Sequence, residues 1–330
     1  MEPKKKKVNG NSNVNSKAEP IDAPSPVKVE SGESDKKGNI IRVKLDSSSA
    51  KPAFEVLDTI DETVRFTFKS EGFSVSCATQ AKKKSNKSSA KAAAKNNKLP
   101  TQADYNFIKE YMSRYTYRVN HSDGEPREEY SVDAEIKPLL NHLKSLKKNN
   151  LNFKINVSAD GEPGNMIIML PGIEKYVPLK CVDDRPKYVN QYLKHFKGVP
   201  PTIIISSAAF LAGVTNAKRS SNEIEFRRNE RTSRACLCCW KDGDDTPVET
   251  HQLDNADSDS SYERGNEDDE ILTRSFNIVN NPWAAKLAKL NDNGVIQIYM
   301  SPEPKTPLIL KTHIGSQGTA IFSVPNNKKI

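Results

Sequence analysis

A strand, a short capped helix and a second strand are written into this chain four times, over Ile40 to Cys77, Tyr130 to Leu170, Thr202 to Cys238 and Ser275 to Ile314. A unit that recurs at a roughly constant period is one supersecondary element reused, because stacked copies bury the apolar face that each copy alone leaves wet. The repeat therefore predicts a larger surface closed from similar pieces, a segment of a ring.

Each copy opens on an apolar or alternating strand: Ile41, Val43 and Leu45 in the first, Ile203 to Ile205 in the third, Phe276 and Ile278 in the fourth. A helix start follows. In the first copy Pro52 opens a helix over Pro52 to Glu62 carrying Phe54, Leu57 and Ile60. In the second, Pro138 fits only a first turn, so the regular helix runs from Leu139 to about Lys148. In the third, Ser206 or Ser207 caps a stripe of Phe210, Leu211, Val214 and Ala217, and in the fourth Asn281 caps ahead of Pro282, Trp283, Leu287 and Leu290. The strands after the helices, Val64 to Phe68, Leu151 to Ile155, Ile224 to Phe226 and Val295 to Tyr299, alternate with period two, so each buries one face.

Three further stretches are compositional. Residues 1–38 form a polar, basic tail without apolar periodicity, expected to be disordered. Its run Lys4, Lys5, Lys6 and Lys7 reads as a nuclear import signal or as a solubilising tail. Residues 80–100 are a lysine-rich insertion, with lysines at 82, 83, 84, 87, 91, 95 and 98. Residues 241–270 are acidic and serine-rich; Asp257 and Asp259 have the spacing of a calcium loop, but Tyr262 stands where the required glycine would be, so the segment reads as solvated acid.

Several function classes lose support here. Histidines at 121, 142, 195, 251 and 313 are scattered, and there is no glycine-rich phosphate loop or nucleophile set, so no enzyme is expected. Cys236, Cys238 and Cys239 lack the paired spacing of a zinc site and read, with the other two cysteines, as buried strand residues; no metal and no cofactor is implied. No signal peptide is read, so a reducing compartment without disulfides is expected. The apolar runs are too short to span a bilayer, which predicts a soluble chain with no membrane partner.

The order of elements near the C-terminus resembles that of the PCNA family of DNA sliding clamps. It runs Ser275 to Ile278, Asn281 to Leu290, Val295 to Met300, Thr306-Pro307-Leu308-Ile309-Leu310, then Gly318 to Pro325. Ala53 to Leu57 and the Ser70 to Val75 hairpin are similar to the clamp start, and the likeness covers residues 39 to 330 apart from the insertions. It implies an α+β DNA clamp fold of two similar domains, each with two strand-helix-strand repeats, sheets outside and four short helices inside. The domains would be 39–180 and 201–330, joined by a connector over 181–200. Length alone also predicts about two domains.

What the resemblance implies about function is specific. Such a chain tethers DNA polymerase and other replication proteins to double-stranded DNA without reading sequence, encircling it as a homotrimer. Lys137, Lys144 and Lys148 share a narrow arc of the second helix, Lys218 and Arg219 end the third, and Lys286 and Lys289 project from the fourth; together they suit phosphate contacts, although any one alone is equally a solvated helix face. A client-peptide groove would be lined by Thr79, Tyr192, Leu193, Pro307, Leu308 and Phe322; the connector holding Tyr192 and Leu193 also reads as an ordinary linker. Subunits would pair through edges at Lys175 to Val182 and Arg234 to Trp240, with Tyr176, Leu179, Cys181, Leu237, Cys239 and Trp240 at the interface.

Departures from the pattern are also visible. The first helix carries Glu55, Asp58, Asp61 and Glu62 where the family has lysines, Ala212 and Thr215 replace two basic positions, and the lysine-rich insertion stands where a further strand is expected. Such divergence points to a clamp of a large DNA virus or another distant lineage, acting in the host nucleus if viral. A monomeric, non-encircling DNA tether in viral replication or late transcription, and a subunit of a heteromeric checkpoint-type clamp, are the other readings. The formal charge of +8 separates none of them.

Overall fold

The computed structural model describes residues 39–79, 101–146, 150–158, 160–170, 172–182, 196, 198–220, 223–229, 235–240, 247, 249–252, 271–303 and 306–326. The first half of the chain runs β1 (Ile40–Leu45), α1 (Ser47–Leu57), β2 (Thr63–Lys69), β3 (Gly72–Ala78), β4 (Gln102–Ile108), β5 (Arg114–Arg118), β6 (Glu129–Glu135), α2 (Ile136–Ser145), β7 (Leu151–Val157), β8 (Pro163–Leu170) and β9 (Ile173–Lys180). The second half repeats the scheme with β10 (Ile203–Ser206), α3 (Ser207–Ser220), β11 (Glu223–Asn229), β12 (Ala235–Trp240), β13 (Glu249–Gln252), β14 (Ile271–Asn277), α4 (Ala284–Leu287), β15 (Val295–Tyr299), β16 (Leu308–Ile314) and β17 (Gly318–Val324). Strand, helix, strand thus occurs four times, at the four positions the repeat predicts.

All strand pairings are antiparallel. A continuous ladder of thirteen strands is made of a first sheet, β9-β8-β7-β1-β5, joined through β9 and β6 to a second, β10-β15-β16-β17-β4-β3-β2-β6; a separate four-stranded sheet, the third, runs β13-β12-β11-β14. The first two touch at only two register pairs, Asp133 with Lys180 and Ala134 with Leu179. The second sheet joins the halves of the chain: β17 pairs with β4 from Gly318 opposite Phe107 to Ser323 opposite Gln102. The helices form a layer on one side of the sheets, with α1 against α2 and α4, and α3 against α4.

Period-two strands put one face of every sheet against this layer. Phe54 of α1 meets Phe66 at 6.1 Å between ring centroids, and Phe73 stacks on Phe107 at 4.6 Å. In the other half Phe210, Phe226 and Phe276 form a stacked column, and Trp283 lies 4.9 Å from Phe322. Burying one such ring contributes roughly 2–3 kcal/mol, which is why these short helices hold without intrinsic stability.

Four local expectations change, and one is decided between its two alternatives. Helix α1 begins at Ser47 and not at Pro52, because the Asp46 side chain accepts from the Ser48 amide at 3.1 Å; Pro52 sits inside, removing the bond to the Ser48 carbonyl. Ser206, rather than Ser207, caps α3, accepting from the Ala209 amide at 3.1 Å. The fourth helix shrinks to one turn followed by a 3₁₀ turn over Ala288–Leu290. Asn281 does not cap it with its side chain: Oδ1 accepts from the Trp283 indole and from the Thr101 hydroxyl, each at 3.0 Å. Finally, both insertions leave the strand pattern intact. Residues 80–100 lie in the β3–β4 connection and replace no strand, since Ala78 pairs with Gln102 directly, and the acidic segment contains β13.

Candidate nucleic-acid interface and client groove

The helix layer runs in the order α2, α1, α4, α3, and its solvent side carries the residues expected to meet phosphate. Lys144, Lys218, Arg219 and Lys289 are exposed there. Two others are engaged within the chain. Lys137 pairs with Glu62 at 3.1 Å, and both side chains remain largely exposed, which makes the pair weak. Lys286 is half-buried and donates to the Glu55 backbone carbonyl at 3.2 Å, fastening α4 to α1. Lys148 lies outside the described residues. The acids of α1 face the same side: Glu55 and Asp58 are partly exposed, and with Lys51 and Asp46 Glu55 borders an open cavity of about 550 Å³ beside Leu146. The wall is basic along α2, α3 and the turn after α4, and carries acids along α1.

On the outer side of the second sheet the expected groove residues are displaced by one position. Leu308 and Phe322 point into the core, Phe322 against Trp283 and edge-on to Tyr105 at 5.8 Å, so neither lines a surface. Pro307 is buried, and Thr79 is half-buried, accepting from the Thr101 amide at 3.0 Å. Tyr192 and Leu193 lie outside the described residues. Strand parity instead sends Tyr299, Ile309 and Ile321 to the outer face, where Tyr299 opposes Ile309 and Ile309 opposes Ser323; of the three only Ile321 is partly exposed, and Tyr299 and Ile309 are buried. Phe196, in the expected connector, sits 5.5 Å from the Tyr299 ring. The signal was present in the alternation of β16 and β17, where the parity of Leu308 assigns Ile309 to the other face.

A polar row crosses the same face: Gln297, Lys311, Ile321, Asp104, Ser76, Arg65 and Asp133 stand side by side on successive strands. Arg65 and Asp133 form a buried pair at 2.9 Å. Asp104 has neutral neighbours on both sides and no ion pair among the described residues. Desolvation of its carboxyl pushes it up to about 7.

The end strands are β5 and β10 of the large ladder and β13 and β14 of the small sheet, and β9 is open on one side before Leu179. Strand β9 pairs with β8 throughout and with β6 only at its C-terminal end, leaving Ile173 and Tyr176 about half exposed. The expectation of an edge at Arg234 to Trp240 is corrected: β12 is flanked by β11 and β13, and the end strands of that sheet are β13 and β14. Leu237 and Cys239 are buried towards α3, where Leu237 packs on Gly213. The side chain of Trp240 lies outside the described residues, as do Lys4 to Lys7. Leu179 is half-buried against the core. Cys77, Cys236, Cys238 and Cys239 are buried strand residues as read, whereas Cys181 is exposed beyond β9 and donates to Glu162 at 2.9 Å. Among the described residues no group of three or more His, Cys, Asp or Glu could hold a metal, and no helix is long and apolar enough to cross a membrane.

Comparison with solved structures places this architecture. The PCNA of A. fulgidus, solved with the C-terminal region of FEN-1, superposes with a TM-score of 0.59 at 12% identity, covering 88% of this chain and 99% of that one. A PCNA2-PCNA3 complex from Sulfolobus tokodaii gives 0.57 at 14% identity over 87% and 99%. The PCNA of Entamoeba histolytica gives 0.56 at 13% identity over 87% and 99%. No family model matches the sequence, and no curated protein matches it. At these identities the likeness shows the fold: the chain has the α+β clamp fold of PCNA, with sheets on one side and four short helices on the other.

Proposed function

We propose that this chain is a non-enzymatic sliding clamp, closing as a homotrimer around duplex DNA and tethering a polymerase or other replication protein to it. The observation that carries the reading is the helix layer α2-α1-α4-α3 on one side of the sheets, with unpaired edges at β9 and β13. A layer with Lys144, Lys218, Arg219 and Lys289 exposed on it suits phosphate contacts that slide, because such contacts position without reading bases. Edge-to-edge pairing between copies would satisfy the backbone groups that β9 and β13 leave open. Clients would dock on the outer face around Ile321, which is partly exposed, with Tyr299 and Ile309 buried beside it on the same face.

A second reading, a non-encircling tether, is favoured by the engagement of Lys137 and Lys286 within the chain and by the acids on α1. The two differ in topology. A closed clamp is retained on closed circular DNA at high salt and released on linearisation; a tether shows steep salt dependence on either form. Solution mass gives the parallel test. Ile173→Glu with Tyr176→Glu, at exposed positions on the β9 edge, is expected to convert a three-chain mass to one-chain mass with an unchanged circular dichroism spectrum. A wild-type chain that is monomeric at micromolar concentration and leaves circular and linear DNA alike would refute the clamp.

A further inference from the structure

The outer face of the first sheet carries a concentration of positive charge that the helix-lined side does not account for. Strand register places Arg114, Lys44 and Asn152 side by side on β5, β1 and β7; Thr116, Arg42 and Lys154 form the next row; Arg118, Ile40 and Asn156 form the third. Cross-strand partners share a face, and Ile41, Val43, Phe153 and Ile155 fill the opposite face in the core, so these nine side chains lie on the side away from α1 and α2. Five of the nine are cations and none is an acid. The nearest acid in these rows is Glu174 on β9, two strands beyond β7, which accepts from the Tyr176 hydroxyl at 3.0 Å. Arg118 and Asn156 are exposed, and Lys44, Arg114 and Lys154 are partly so. Among the described residues no ion pair holds Lys44, Arg114, Arg118 or Lys154.

Four of these cations, Lys44, Arg114, Arg118 and Lys154, have no ion pair among the described residues, and like charges on adjacent strands repel one another and destabilise the sheet unless an anion neutralises them. The chemistry of the intervening residues narrows what that anion is. Protein partners need a buried apolar centre, and the one apolar side chain in the three rows, Ile40, is already covered at 8% exposed. Thr116, Asn152 and Asn156 add hydroxyl and amide donors between the cations, the combination that binds phosphate oxygens. A flat sheet face offers no helix or ribbon to enter a groove, so base edges stay unread.

We propose that the β5-β1-β7 face is a second nucleic-acid site, binding the sugar-phosphate backbone of DNA on the outside of the molecule, opposite the helix layer. It does not depend on ring closure and takes DNA without regard to sequence.

The test uses the full-length chain and the variant Lys44→Glu, Arg114→Glu, Arg118→Glu and Lys154→Glu, with fluorescence anisotropy on short single-stranded and duplex oligonucleotides over a salt series. The expected result is a loss of affinity of at least about tenfold at low salt, with the slope of log K against log salt shallower by about three, at 0.7–0.9 per phosphate contact removed. Retention on closed circular DNA is expected to persist in this variant and to fail in Lys144→Glu with Lys218→Glu, which separates this site from the helix layer. An unchanged slope overturns the proposal, as does a variant that keeps its DNA affinity but self-associates, since the cations would then serve to guard the free edge of β5. Competition of the DNA by polyglutamate at equal charge concentration would also overturn it, in favour of an acidic protein. Should the quadruple variant fail to fold, crosslinking of the wild-type protein to bromodeoxyuridine-substituted DNA decides. Crosslinks in β1, β5 or β7 peptides support the site, and crosslinks confined to helix-layer peptides refute it.

Discussion

Replacing Asp104 by asparagine should make the protein more stable, and only above a definite pH. Asp104 sits mid-strand on β4 with Ile321 and Ser76 as lateral neighbours. Desolvation moves its carboxyl from 3.8 to about 7. The folded state therefore keeps a proton that the unfolded chain releases between about pH 4 and pH 7. Because the folded value is the raised one, the contribution of this residue to stability is greatest below pH 4 and is lost as pH rises through 7. At 1.36 kcal/mol per tenfold, the ionised form costs at most about 4 kcal/mol, and the residual exposure of the side chain reduces this to about 2 kcal/mol. Asparagine is neutral throughout and nearly isosteric. Urea denaturation of the wild type and Asp104→Asn across this range should give a stability gap that opens above pH 4 and levels off above pH 7, at about 2 kcal/mol in favour of the variant. Other titrating groups are common to both proteins and cancel. A gap that is flat with pH, or an asparagine variant no more stable than wild type at pH 8, would refute the argument from desolvation.

Two further substitutions probe the scaffold. Lys286→Met removes the ammonium bond to the Glu55 carbonyl and should lower stability by about 1 kcal/mol in chemical denaturation, while keeping the stem's packing between α1 and α4. Gly72→Ala should cost about 3 kcal/mol or more, because φ is 150° and an added Cβ would meet the Phe107 carbonyl oxygen at 2.1 Å; a shift in Tm of only a degree or two would refute that contact.

The sequence carried the architecture because the repeat is written in spacing. Apolar residues at period two in Val64 to Phe68 and Val295 to Tyr299, and at helical period in Phe210, Val214 and Ala217, are fixed by burial on one face, and each lies in the element it predicts. What failed depended on contacts distant in the chain. Nothing local to Asn281 reveals that Thr101 joins the neighbouring Trp283 in bonding its side chain. Lys286 reads as an outward lysine until α1 is brought beside α4. The edge strand was misplaced because Ala235 to Trp240 is apolar and β13 is a polar stretch of four residues, Glu249–Gln252, that composition alone assigns to a loop. Leu308 and Phe322 fell on the core face for a different reason. A single-position error in a strand exchanges its faces, so the choice between Phe322 and Ile321 needed the position of Trp283. The basic outer face was legible only in part, since Arg42, Lys44, Arg114, Arg118 and Lys154 come from three separated segments that register alone brings together.

The backbone ladder between β17 and β4 ties the last described strand of the chain to a strand of its first half. In mechanical terms that ladder is a clasp between the two halves. The halves are clasped by a continuous run of main-chain bonds, with Trp283 and the Thr101 to Asn281 bond wedged beneath it, so the covalent connector carries little of the load. Flexing confined to a single chain is therefore stiff. In the clamp proposed above, an opening for a DNA duplex would therefore fall at the seams between copies, where a short edge such as β13 would offer few bonds to break.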